Sequence, residues 1–285
     1  MDAQLFKRFC HIAYDRAGIF LKDGKEALVS ARVAKRLRAL GMESISDYID
    51  FLENDETGQE VVHFLDVIST NFTHFMREPD HFDLLREKAR EWAEAGVGKL
   101  RLWSAASSSG EEPYSIAITL EEALAERGAN YLILATDIST QVLARARNAV
   151  YKASTLKAFS KAQIQEHFLK RPDLEGDEPF FEVKPNLKEH LVFKRLNLSK
   201  PPFPMSGPMD VVFCRNVMIY FDQEVRQRLV SEAERLLKPG GLLMIGHTET
   251  LTGVQHNLKP IRPSVFVKRQ PGESTKTPER RGGGR

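Results

Sequence analysis

The chain reads as an α/β protein in which a doubly wound, mostly parallel sheet follows an all-α N-terminal domain and carries a small inserted antiparallel β subdomain. Three observations support this. Residues 1–75 show apolar spacing of helical period and almost no strand pattern. From Lys99 onward, short apolar runs alternate with amphipathic stretches, the pattern of βαβ units. One run, Leu100 to Trp103, breaks into small residues and re-enters a helix through Pro113, as strands do where a sheet brings backbone close to a bound ligand.

Taken in order, Leu28, Val29, Val33, Leu37 and Leu40 recur at helical spacing before Gly41, a stop residue. Ser44 to Asp47 opens the next helix in the manner of a capping box, ahead of Tyr48, Ile49, Phe51 and Leu52. Another begins after Thr57-Gly58 and carries Val61, Val62, Phe64, Leu65 and Ile68. Residues 76–98 are expected to be a linker. Residues 99–270 hold the sheet, with strands at Leu100 to Trp103, Tyr131 to Ala135, Leu191 to Leu196, Val211 to Cys214 and Leu242 to Ile245. Lys238-Pro239-Gly240-Gly241 ends a helix over Val225 to Leu237, and Ser264 to Lys268 is a closing antiparallel strand. The β insertion is expected at about 172–195, from Phe180-Phe181-Glu182-Val183 and a return run at Leu191 to Phe193. The tail, 271–285, is polar and is expected to be disordered.

Forty-one basic against 39 acidic side chains leave a net charge of +2, so nothing global draws the chain to nucleic acid or an anionic membrane. Cys10 and Cys214 stand far apart in apolar contexts and read as reduced thiols of a cytosolic protein. No apolar run approaches the roughly 18 residues of a membrane span, and a soluble cytoplasmic monomer is expected.

The chemistry concentrates in four stretches. Ala105 to Gly110 makes a narrow turn, but Glu111 and Glu112 at the helix entrance disfavour a pyrophosphate and favour a cation or a donor-rich ligand. S-adenosylmethionine, with an ammonium, a sulfonium and ribose hydroxyls, fits that turn. Asp137 ends the second strand where nucleoside-binding sheets place a carboxylate for ribose hydroxyls, although capping of the next helix would also explain it. Cys214 to Phe221 follows a strand and sets Arg215, Asn216 and Tyr220 at the sheet's carboxyl edge. The Asn/Asp-Pro-Pro-aromatic pattern that holds amine nucleophiles is missing there, since Lys200-Pro201-Pro202-Phe203 precedes the strand, so an oxygen acid is the expected acceptor. Thr70 to Glu78 lies at the domain junction, where Arg77 either pairs with a ligand carboxylate or ties the domains through Glu78 or Asp80.

Thr70 to Glu78, Gly110 to Ala117, Ala135 to Ile138, Cys214 to Phe221 and Leu237 to Gly241, in this order and spacing, resemble the CheR family of chemotaxis receptor glutamate O-methyltransferases over about residues 5–270. The resemblance implies a class I methyltransferase domain that uses S-adenosylmethionine and releases S-adenosylhomocysteine. It implies Asn71, Thr73, Arg77, Glu111, Asp137, Asn197, Leu198, Arg215 and Asn216 around the cofactor, with Glu112 competing with Glu111 for the methionine ammonium. Tyr220 and Arg77 are then the expected catalytic residues. The implied partners are the acidic cytoplasmic helices of methyl-accepting receptors, at whose arrays a bacterial enzyme would be recruited. Arg32, Lys35, Arg36 and Arg38 on the helix near Lys25 to Leu40 form a basic face that could dock them. No metal is expected. A dinucleotide oxidoreductase would need the Gly-x-Gly-x-x-Gly turn that is lacking here, and a nucleic-acid methyltransferase a broader basic surface.

Overall fold

The computed structural model describes residues 1–68, 72–127 and 130–273. It opens with helices α1 (Ala3–Ala17), α2 (Glu26–Leu40), α3 (Ile45–Glu53) and α4 (Gln59–Ile68). Their apolar faces meet in one core, where Phe9 stacks on Phe64 at 5.3 Å and Val29, Val33, Ile49 and Leu65 close around them. Asp2 and Ser44 cap α1 and α3 by accepting from the Leu5 and Asp47 amides. Gly18, at φ 67°, ends α1 so tightly against the second domain that a Cβ there would lie 2.4 Å from the Ser199 Cβ.

Segment 76–98 is not the expected linker. It folds as α5 (Pro79–Glu94), whose Phe82, Leu84, Leu85 and Ala89 are buried in the core of the sheet domain. The remaining positions are densely charged, which lowers the mean hydropathy and hides an apolar stripe that is nonetheless at i, i+3 and i+4.

The rest of the chain runs β1 (Leu100–Ser104), α6 (Glu111–Leu124), β2 (Tyr131–Asp137), α7 (Thr140–Asn148), β3 (Val150–Lys152), α8 (Lys161–His167), β4 (Phe168–Arg171), β5 (Phe180–Val183), α9 (Pro185–Lys188), β6 (Leu191–Arg195), β7 (Met209–Cys214), α10 (Gln223–Leu236), β8 (Leu237–Ile245), β9 (Leu258–Arg262) and β10 (Val265–Lys268). Seven strands form one sheet in the order β6-β2-β1-β7-β8-β10-β9. The first five are parallel, and β10 closes antiparallel on β8, as expected for Ser264 to Lys268. Every residue of β7 is buried, as a central parallel strand covered on both faces requires.

The β insertion starts earlier and ends sooner than expected. Its three antiparallel strands are ordered β3-β5-β4, so it opens at Val150, while Leu191–Arg195 pairs parallel with β2 and belongs to the main sheet. Three residues of β3 are too few to show a period, and β4 follows α8 without a break. Of the expected tail, residues 274–285 lie outside the described residues; Glu273 accepts a hydrogen bond from Lys259 at 3.1 Å. Among the described residues, no helix is long and apolar enough to cross a membrane.

Candidate active site

Strand order reverses at β1, which pairs with β2 on one side and β7 on the other, and open α/β sheets bind ligands beyond the carboxyl ends of the strands at such a point. Here a cavity of about 530 Å³ lies against Ala105 and Ala106 after β1, Asp137 at the end of β2 and Arg215 and Asn216 after β7. The helical domain covers it with residues 17–22 and with Leu28, Val29 and Arg32 of α2. Three hydrogen bonds hold that cover in place: the Phe20 amide to the Tyr220 carbonyl (2.8 Å), Asn197 Nδ2 to the Arg16 carbonyl (2.7 Å), and the Tyr14 hydroxyl to Asp222 (2.6 Å).

The floor is built by strand-end hydrogen bonds. The Trp103 indole donates to the Thr136 hydroxyl, which donates in turn to the Ala105 carbonyl, each at 2.9 Å, fixing where β1 and β2 release the chain. Asp137 then accepts from the Ser108 amide (2.9 Å) and the Ser139 amide (3.0 Å). Burial raises its pKa, and these amide donors offset part of the rise. Gly110 caps α6 at φ 101°, where a Cβ would meet the Tyr151 hydroxyl at 2.6 Å, so only glycine lets α6 start this close to the cavity.

Of the two candidate glutamates at that helix start, Glu112 lines the cavity and Glu111 does not. Glu111 turns back to accept from the Ser109 hydroxyl at 2.7 Å, beneath Tyr151. Glu112 is held by the Ser104 hydroxyl at 2.7 Å and by Arg215 Nη1 at 3.2 Å. Its pKa is pushed up by burial and only partly drawn back by Arg215.

Arg215 is the hub. Its guanidinium contacts Glu112, donates to Glu78 from Nε (3.2 Å) and Nη2 (2.9 Å), donates to the Arg77 carbonyl, and lies 5.5 Å from the centre of the Phe82 ring. Glu78 also accepts from Asn216 Nδ2 (3.3 Å) and the His247 amide (3.1 Å). Burial would raise the Glu78 pKa, but Arg215 and these donors outweigh it and hold it below the usual range. Glu78, His81 and His247 come together closely enough to suggest a metal group, yet the Glu78 oxygens are already engaged by these four donor groups. The Arg77 side chain does not pair with Glu78. It donates to the Phe72 carbonyl at 3.0 Å and lines the cavity beside Thr73.

Tyr220 and Leu198 also line the cavity, and among the described residues the Tyr220 hydroxyl has no hydrogen-bond partner. Asn197 lines it too, but its amide group is occupied, donating to Arg16 and accepting from the Ser199 amide and hydroxyl. Asn71 lies outside the described residues. The structure therefore brings Thr73, Arg77, Asp137, Asn197, Leu198, Arg215, Asn216 and Tyr220 together, and exchanges Glu111 for Glu112.

The expected basic face of α2 divides. Arg36 turns inward to Glu60, with Nε to Oε1 at 2.9 Å, and the Tyr48 hydroxyl adds a bond to the same carboxylate at 2.8 Å. Arg32 donates to the Ile68 carbonyl at 2.6 Å, which places it at the cavity rather than on the outer face. Only Lys35 and Arg38 stay exposed.

The cavity thus joins a sheet-edge acid, Asp137, an acid at the start of α6, Glu112, and the cations Arg77 and Arg215, and comparisons with known proteins place the whole chain among relatives. The chain is 41% identical over 249 residues to the "Chemotaxis protein methyltransferase" of Salmonella typhimurium (87% of this chain, 84% of the relative). It is 39% identical over 262 residues to that of Escherichia coli (92% and 90%) and 38% over 268 residues to that of Borreliella burgdorferi (92% and 93%). Residues 4–69, the helical unit, match the family description "CheR methyltransferase, all-alpha domain", and residues 71–267, from the domain junction through β10, match "CheR methyltransferase, SAM binding domain". With both of its domains accounted for, the chain belongs to the CheR methyltransferase family.

Proposed function

We propose that this protein methylates the side-chain carboxylates of glutamates in chemotaxis receptors, producing γ-methyl esters and S-adenosylhomocysteine. The observation that carries this reading is the cavity itself. Its acids, Asp137 and Glu112, are held by hydrogen bonds at the sheet edge, whereas Arg77 and a Tyr220 hydroxyl without a partner among the described residues face an incoming acid. Bound S-adenosylmethionine supplies an electrophilic methyl group on a sulfonium. In this assignment Asp137 accepts from the ribose hydroxyls and Glu112 faces the methionine ammonium.

A glutamate with a pKa of about 4.3 is already ionised at pH 7, so the protein has no proton to remove and its work is positional. Tyr220 orients one carboxylate oxygen, and closure of the helical domain over the cavity excludes water that would blunt it. Arg77, tethered to the Phe72 carbonyl, steers a carboxylate without clamping the reacting oxygen, which would only stabilise the ground state. Transfer of label from S-adenosylmethionine to receptor-bearing membranes, released as methanol at alkaline pH, tests the reading. Label that survives alkali would mean an amide or ether product and overturn it.

Asp137→Ala is expected to weaken S-adenosylhomocysteine binding by at least about tenfold, since a hydrogen bond to a charged group contributes roughly 1.5 to 3 kcal/mol. Calorimetry on the folded variant checks this, and unchanged affinity would remove Asp137 from the ribose site.

On the outer face of α2, Lys35→Glu with Arg38→Glu is expected to raise the KM for receptor severalfold while cofactor affinity holds. The wild-type advantage should fade with salt, because exposed charges reach only about 8 Å at physiological ionic strength. Equal KM values at low salt would leave this face merely solvated. Arg36 is unsuited to the experiment, since its reversal would set two carboxylates together beside buried Tyr48.

A further inference from the structure

Ten large apolar side chains are exposed among the described residues, and four of them, Phe20, Leu28, Phe72 and Ile219, line the one cavity just described. They come from four separate places in the chain: the turn after α1, helix α2, the junction before α5 and the turn after β7. Phe72 is 71% exposed and Phe20 52%, so folding alone does not account for their positions. Exposed apolar groups converging from distant segments mark a surface that another molecule covers.

The charge around these side chains narrows the choice of partner. Lys22 and Lys25 line the same opening, are exposed, and make no ion pair among the described residues. Among the described residues the acids in the cavity wall are Glu112 and Asp137, held at the ends of β1 and β2 by Ser104, Arg215, Ser108 and Ser139. The mouth is therefore apolar and cationic, and the acids lie inside.

Building on the proposed function, we propose that Phe20, Leu28, Phe72 and Ile219 form an apolar collar that grips the substrate helix on either side of the modified glutamate, reading apolar residues one helical turn away while Lys22 and Lys25 meet neighbouring acids. A helix places residues three and four apart on one face, so a glutamate entering the cavity brings its i±3 and i±4 neighbours against the rim. Selection among receptor glutamates then depends on the side chains one turn from each, and the charge of the segment alone does not decide it.

The test uses the full chain with Phe20→Ser and Leu28→Ser combined, and separately Ile219→Ser, acting on a soluble receptor cytoplasmic fragment. Receptor KM should rise at least tenfold for the double variant, S-adenosylhomocysteine affinity should stay within twofold, and Phe20→Leu should restore most of the loss. A receptor fragment whose apolar residues one turn from the methylated glutamate are changed to Ser should lose wild-type affinity to a similar extent. Unchanged KM in both variants, on a fragment that the wild type methylates, would overturn the collar and leave the glutamate reading intact. Concentration-dependent dimers of the wild type that these substitutions abolish would assign the collar to a second copy and overturn the proposal as well. A wild type that esterifies no receptor fragment would overturn the underlying reading, and the collar with it.

Discussion

Arg215→Met is expected to lower folding stability by about 3 to 5 kcal/mol, the cost of removing one partner from a buried ion pair, and to abolish measurable cofactor binding at ordinary concentrations. The side chain is almost wholly buried and bridges two carboxylates that the fold encloses, Glu78 at 2.9 Å and Glu112 at 3.2 Å. Methionine fills similar space but leaves both acids without their cation. At roughly 2 to 4 °C per kcal/mol for chains of 150–250 residues, the melting temperature should fall by about 10 °C. Glu112 would then lose the cation that offsets the effect of its burial, its pKa would rise further, and its hold on an ammonium would weaken. Adding Glu78→Gln to Arg215→Met removes one stranded charge and should recover part of the stability. If the double variant melts no higher than Arg215→Met alone, Glu78 is not the partner that Arg215 neutralises.

Arg215 also shows what the sequence could and could not disclose. Its position after a strand made it a candidate, as did that of Asn216, because the carboxyl ends of parallel strands converge on one edge. Glu78, 137 residues earlier, offers itself in the sequence only as a partner of Arg77, and no spacing rule joins it to Arg215. The same limit explains Arg36, whose outward place on a helical wheel is overridden by Glu60 on α4. For Glu111 and Glu112, adjacent side chains differ by about 100° around the helix, so the choice rests on the phase that Gly110 sets at φ 101°. Helix α5 was hidden by its charged face. Local period and strand-end chemistry were readable, whereas pairings between elements depended on packing.

Tyr220→Phe is expected to slow single-turnover methyl transfer by about a hundredfold while leaving S-adenosylhomocysteine affinity nearly unchanged, because in the proposed reaction the protein's contribution is alignment of the reacting oxygen. A packing role for the hydroxyl would require a local partner, and among the described residues it has none. The ring packs beside the core under β7 and β8, and the residue's backbone carbonyl, not its hydroxyl, accepts from Phe20. Loss of the oxygen should therefore cost little stability, since no buried donor or acceptor is stranded. The two roles predict opposite outcomes in paired measurements on one variant. A slowed rate with an unchanged melting temperature assigns Tyr220 to the acceptor carboxylate. A normal rate with a lowered melting temperature would make it a core residue and leave positioning to Arg77, whose guanidinium the Phe72 carbonyl already holds at the cavity wall.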